Sequence, residues 1–152
     1  NTLNSIRYFA KIYKAPEIRE ITTALIQLSK ASLSSEKFIR MRQELELTEQ
    51  YLTIQKMRYG DIAEVTMEME EDLEDCLIPR FSIQPAVENA LFHGILPKGN
   101  GKIEVKVHRS GAGIEIQIRD DGVGIEKEQM EEINERLKMA VFQKRGIRKS
   151  AD

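Results

Sequence analysis

Apolar residues recur at helical spacing early in the chain and with a period of two further on. Leu3, Ile6, Phe9 or Ala10, and Tyr13 keep intervals of three or four, which places them on one face of a helix. Pro16 interrupts that helix, because it lacks the N–H a continuing turn needs. Ile18, Ile21, Leu25 and Leu28 follow at 3-4-3 spacing, the seam of a heptad pattern. Two such helices joined across Ala15 and Pro16 predict an antiparallel hairpin. Ser32–Lys37 reads as a helix end or linker, and Arg42–Gly60 predicts a third helix. Leu45, Leu52 and Met57 are among its buried candidates, and Gly60 ends it. Two helices bury too little apolar area to stand alone. The seam therefore asks for cover: a second copy completing a four-helix bundle, or the rest of this chain.

From Asp61 the period changes. Val65, Met67 and Met69 alternate with Glu64, Thr66, Glu68 and Glu70, the pattern of a half-buried strand. Ile103, Val105 and Val107, then Ile114, Ile116 and Ile118, alternate with polar residues on either side of a Ser110–Gly113 turn. This predicts a hairpin whose apolar face must be covered by helices, hence an α/β sandwich. A glycine at 94 is expected to end the helix before it, and Pro97–Lys102 reads as a loop. A last helix carries Met130, Ile133 and Leu137, and the polar end, Gln143–Asp152, has no periodicity and is expected to be mobile. The fold expected is α+β: a helical hairpin over 1–35, half of a dimerising bundle, then a sandwich over 36–152.

Composition narrows the partners. The 152 residues are 41% hydrophobic and 32% charged, with 23 basic and 25 acidic residues and a net charge of −2. A soluble globular chain fits, and no basic excess points to nucleic acid. Eight acidic and no basic residues lie between Asp61 and Asp75, as on a solvated edge strand and loop. Cys76 is the one cysteine. Its apolar neighbours predict a buried thiol, and a reducing cytosol fits best. No apolar run reaches the ~18 residues of a membrane span.

Within Val87–Gly94 (VENALFHG), Val87, Ala90 and Leu91 recur at core spacing, while Glu88, Asn89 and His93 interrupt the stripe with polar groups. Asn89 offers a neutral amide oxygen, which suits Mg²⁺ held mainly by waters and phosphates. His93, four residues on, shares its face and is a candidate phosphate contact. Glu88 either orients the site or is simply solvated. Further on, Asp120 falls on the apolar face of Ile114, Ile116 and Ile118, and a carboxylate there needs a donor. Gly122 and Gly124 follow and let another group approach closely. Asp120 could accept from a flat ligand such as the amino group of adenine, or cap its own turn.

Together these segments resemble a known family. FSIQPAVENALFHG and IRDDGVGI look like the N box and G1 box of the GHKL ATPase fold of histidine kinases, gyrase, Hsp90 and MutL proteins. NTLNSI (Asn1–Ile6), YLTIQKMRYG (Tyr51–Gly60) and QPAVENALFHG (Gln84–Gly94) resemble the HFLFNTLNSI, YLxIQKxRF and QPLVENAxxHG blocks of LytS/YesM-like sensor histidine kinases. The resemblance implies ATP and Mg²⁺ as ligands, with Asn89 as the Mg²⁺ ligand and Asp120 as the adenine acceptor above Gly122 and Gly124. It implies a homodimer, phosphoryl transfer to a histidine four residues before Asn1, and a response regulator as the next acceptor. Asn1 would then hold the position that helps dephosphorylation. It also implies the cytoplasmic portion of a bacterial protein that reaches a membrane only through a preceding region.

The chain departs from the pattern in three places. The phosphoacceptor position lies before Asn1, Phe92 stands where many histidine kinases carry a phosphate-contacting lysine, and no glycine-rich G2 box follows the G1 box. The 152 residues alone are therefore expected to be inactive. Two other readings are a GHKL ATPase that hydrolyses ATP and a non-catalytic nucleotide-binding or dimerisation module. Hydrolases of this fold place a glutamate four residues before the N-box asparagine, where this chain has Pro85.

Overall fold

The computed structural model describes the backbone of residues 2–149 and the side chains of residues 2–139. Helix α1 (Thr2–Ile12) and helix α2 (Pro16–Leu33) form the expected hairpin. Pro16 opens α2, where its missing N–H costs nothing. Strand β1 (Phe38–Arg40) leads into helix α3 (Met41–Tyr59), which ends at Gly60 with φ +79°. Strand β2 (Ala63–Met69), a 3-10 turn (Glu71–Leu73) and strand β3 (Leu77–Pro79) follow. Helix α4 (Gln84–Asn89) then runs through a π-helical turn (Ala90–Ile95) into the short helix α5 (Leu96–Lys98). Strands β4 (Gly101–Ser110) and β5 (Gly113–Asp120) form the hairpin, and helix α6 (Lys127–Lys149) closes the described chain.

The main sheet has the order β2-β4-β5, with β2 parallel and β5 antiparallel to β4. A parallel pair needs a crossover, and here the crossover carries α4, the π turn and α5. Val105 and Val107 pack with Met41 and Leu45 of α3 and with Ile83 and Val87. Ile103 packs with Ala90, Leu91 and Ile95. All three strand residues are at most 2% exposed, worth about 1.5–3 kcal/mol each. Helices on one face of the sheet give the expected α/β sandwich. The acidic edge is solvated as expected, and ion pairs line it, among them Lys102 to Glu64 at 2.9 Å and Arg109 to Asp72 at 2.6 Å.

Several expectations need correction. Gly94 does not end a helix. It lies buried inside the helical run, which stops at Gly99 with φ +94°. Pro97–Lys102 is accordingly the end of α5, a turn and the start of β4. Met57 is 41% exposed, on the outer side of α3. Met130, Ile133 and Leu137 lie on α6 but remain exposed. The backbone of Gln143–Lys149 belongs to α6. Residues 150–152 lie outside the described residues. Cys76 is half-buried against the core rather than fully enclosed.

The α2 seam points away from its own chain. Ile18 and Leu25 are exposed and Ile21 and Leu28 half-buried, whereas Thr22, Ala24 and Ile26 are buried. The α2 helix is packed on by both α1 and α3. Ile6, Phe9, Ile12 and Tyr13 of α1 are exposed as well.

Candidate nucleotide site

The helix carrying the polar-striped motif is held at its start by a residue far away in sequence. Glu44 of α3 is fully buried. Its carboxylate accepts the N–H groups of Phe81 and Ile83, each at 2.9 Å. Phe81 has φ +59°, a conformation that costs a bulky residue about 1–3 kcal/mol. The glutamate offsets that strain and places a negative charge at a helix N-terminus, where it is favoured. Arg80 donates to the Ala31 carbonyl in the last turn of α2, so the same turn touches the hairpin.

Three faces of the helical run do different work. Val87, Ala90, Leu91, Gly94 and Ile95 face the core. Glu88 and Phe92 turn towards α3. The Phe92 ring meets Tyr59 edge-on at 5.8 Å, so the residue in the lysine position is used for packing. Burial, with the Glu88 charge adding to it, pushes the Tyr51 phenol up to about 12. Glu88 is half-buried on this side of the helix. Asn89 and His93 are exposed together, as their spacing requires.

The π turn has a physical cause. Pro97 has no N–H for the His93 carbonyl, and its ring would clash there in a regular helix. The turn widens, and the Leu96 N–H bonds back to the Leu91 carbonyl, five residues earlier. The Gly94 carbonyl is left to accept the Val123 N–H at 3.1 Å.

That bond joins the helix to the loop after β5. Asp120 pairs with Ile103 in register and shares its parity with Ile116 and Ile118, as expected, but it sits exposed at the rim rather than buried. Its Oδ1 accepts the Gly122 N–H at 3.0 Å. A carboxylate has further lone pairs, so capping the turn leaves Asp120 with acceptor capacity. Gly122 is needed for close approach: a Cβ there would overlap the Gly94 backbone. Gly124 has φ +76° and open space, the loop position that needs glycine for its conformation. Val123 and Ile125 are exposed beside them.

Asp121 turns the other way. Its Oδ1 accepts the Lys102 N–H at 2.7 Å, and Lys98 Nζ bonds its backbone carbonyl at 2.6 Å. The Lys102 N–H foremost, with the Lys98 ammonium beside it, holds this carboxyl below the usual aspartate range. Asp121, Gly94 and Glu44 escaped the sequence reading as site residues. The doubled aspartate was the available signal for the first. A core-period glycine followed by more apolar residues was the signal for the second. Nothing local marks Glu44, whose partners lie 37 and 39 residues on.

Among the expected site residues, Asp120, Gly122 and the Asn89–His93 helix are brought together through Gly94, and Gly124 continues the same loop. Asn1 lies outside the described residues. The donor set fits a nucleotide: a free amide on a helix, an imidazole one turn on, and a carboxylate beside a glycine loop. Among the described residues no group of three or more His, Cys, Asp or Glu could hold a metal ion. A cation at Asn89 would need phosphate oxygens and water, as Mg²⁺ accepts. No described helix is long and apolar enough to cross a membrane.

A histidine kinase family model matches residues 1–63, and a model for histidine kinase-, DNA gyrase B- and HSP90-like ATPases matches residues 79–150. Sensor histidine kinase YpdA of Escherichia coli is 36% identical over 102 residues, covering 66% of this chain and 18% of that protein. Sensor protein LytS of Staphylococcus saprophyticus is 32% identical over 136 residues, 88% of this chain and 23% of that protein. Sensor histidine kinase YesM of Bacillus subtilis is 27% identical over 128 residues, 83% and 22%. The chain thus spans about a fifth of the length of these relatives. A histidine kinase domain from the blue-light activated kinase of Erythrobacter litoralis EL346 aligns with a TM-score of 0.44 at 14% identity, over 83% of this chain and 72% of that one. With both family models in sequence order and LytS, YesM and YpdA among its relatives, the chain belongs to the LytS/YesM-like sensor histidine kinases of two-component systems.

Proposed function

We propose that this chain binds ATP with Mg²⁺ and serves as the catalytic region of a protein-histidine kinase. The carrying observation is the interlock at Gly94, which makes one site of the Asn89 helix and the Asp120 loop. Asp120 accepts the adenine amino group, Asn89 supplies one oxygen to Mg²⁺, and His93 contacts phosphate. The metal, when bound, neutralises charge on the phosphates. The protein's own part is positioning and electrostatics, as phosphoryl transfer requires.

The acceptor in this reading is a histidine four residues before Asn1, and an aspartate on a response regulator receives the group next. The hairpin over 1–35 is a dimerisation element, and residues 36–152 form the nucleotide-binding part. The exposed apolar faces of α1 and α2 support a homodimer closing a four-helix bundle. Asn1 takes the dephosphorylation-assisting position. Transfer is favoured over hydrolysis because Pro85 occupies the place of a general base. The test is incubation with labelled ATP and Mg²⁺, followed by acid. A chain extended through that histidine and a glycine-rich lid should carry acid-labile label there. The 152-residue chain should carry none, since His93 and His108 lie on the N-box helix and on β4. Label on the short chain, or none on the extended one, contradicts the reading.

A further inference from the structure

We infer that Gly94 is the positioning residue that fixes the Asp120 carboxylate, and so determines which base the site accepts. This rests on the reading of Asp120 as the base acceptor. A Cβ built at Gly94 would overlap Asp120 Oδ1 and crowd its Cγ. A Cβ built at Gly122 would overlap the Gly94 carbonyl carbon, Cα and oxygen. The space that a side chain would fill at position 94 is therefore occupied by the Asp120 carboxylate, and the loop backbone at Gly122 lies close against the Gly94 backbone. The Gly94 carbonyl also accepts the Val123 N–H, and Asp120 Oδ1 accepts the Gly122 N–H. Asp120, Gly122 and Val123 are thus all set against one glycine.

Gly94 has no positive φ to explain it. The requirement is the close approach alone. Neither Asn89 nor His93 touches this contact in the same way, because both point outward from the helix. A methyl group at position 94 pushes the carboxylate off its place while leaving Asn89 and the metal side of the site intact. Gly94 therefore acts on the base and not on the phosphates.

The test compares ATP with inosine triphosphate, which replaces the 6-amino donor with a carbonyl. Binding of each, with Mg²⁺, is measured by calorimetry on the unaltered chain, Gly94→Ala and Asp120→Asn. A hydrogen bond to a charged acceptor predicts that the unaltered chain prefers ATP by about tenfold or more. Gly94→Ala should bring the ratio below about threefold. A purely structural role would weaken both nucleotides together and keep the ratio. A folded Gly94→Ala with the parent ratio overturns the inference. If Asp120→Asn also keeps the ratio, or the unaltered chain shows no preference, the base-acceptor reading fails and takes this inference with it. If Asp120→Asn loses the ratio and Gly94→Ala keeps it, only the Gly94 inference fails. Should Gly94→Ala not fold, amide exchange in the unaltered chain decides. The Gly122 and Val123 amides should be slowed without nucleotide and slowed further by ATP but not by inosine triphosphate. Exchange at the unprotected rate, or equal slowing by both nucleotides, overturns it.

Discussion

Replacing Glu44 by leucine should destabilise the fold through the turn that starts the N-box helix, not through α3 itself. The side chain is fully buried, and both carboxylate oxygens are used, one by Phe81 and one by Ile83. Leucine removes both acceptors and leaves the Ile83 N–H buried and the Phe81 N–H part-buried without a partner. Each orphaned donor costs about 1–3 kcal/mol, or roughly 2–6 kcal/mol together. The glutamate's own desolvation is relieved at the same time, so a net loss of about 2–4 kcal/mol is expected. Glu44→Gln keeps the volume and one acceptor but turns an amide towards the second donor, and should lose about half as much. Urea unfolding at constant slope reads these losses as a shift of the midpoint. Glu49→Leu, exposed on the same helix, is the control and should stay within about 0.5 kcal/mol. A Glu44→Leu chain as stable as that control would refute the clamp.

Asn89→Ala should weaken ATP binding more in the presence of Mg²⁺ than in its absence, because the amide oxygen is offered to the metal; equal losses in parallel titrations would assign Asn89 to direct nucleotide contact or packing. Tyr51→Phe should change the alkaline limb of stability. The folded phenol is pushed above its ordinary value of 10, to about 12, by burial first and by the Glu88 charge second. The stability that comes from keeping it neutral is present below pH 10 and is lost as the pH rises through 12. The parent should therefore lose stability relative to Tyr51→Phe over that window, and parallel curves would contradict the assignment.

The elements with strict periodicity were legible from the sequence. The alternation of Ile103, Val105 and Val107 against Ile114, Ile116 and Ile118 gave the hairpin and its register face, and Asp120 kept the parity it implied. What failed was local punctuation overridden by tertiary contact. Gly94 looked like a helix stop because glycine usually is one, yet its lack of a side chain serves the approach of Asp120 and Gly122. Pro97 looked like a loop residue, and instead it sits near the start of α5 behind a widened turn. The heptad seam of α2 was correctly periodic, but periodicity does not say who covers it, and this chain leaves Ile18 and Leu25 exposed. Glu44 was invisible because its role depends on donors that only the fold brings near.

The central claim is one nucleotide site built from the Asn89 helix and the Asp120 loop. Its most direct test is calorimetric titration of ATP with Mg²⁺ into this chain and into Asp120→Asn, with folding of both checked by circular dichroism. Asparagine can still accept, but it also presents a donor where the adenine amino group presents one. The account predicts saturable binding to the parent and a loss of at least about tenfold in the folded variant, the scale of a hydrogen bond to a charged group. Equal affinity in the two folded chains would contradict it.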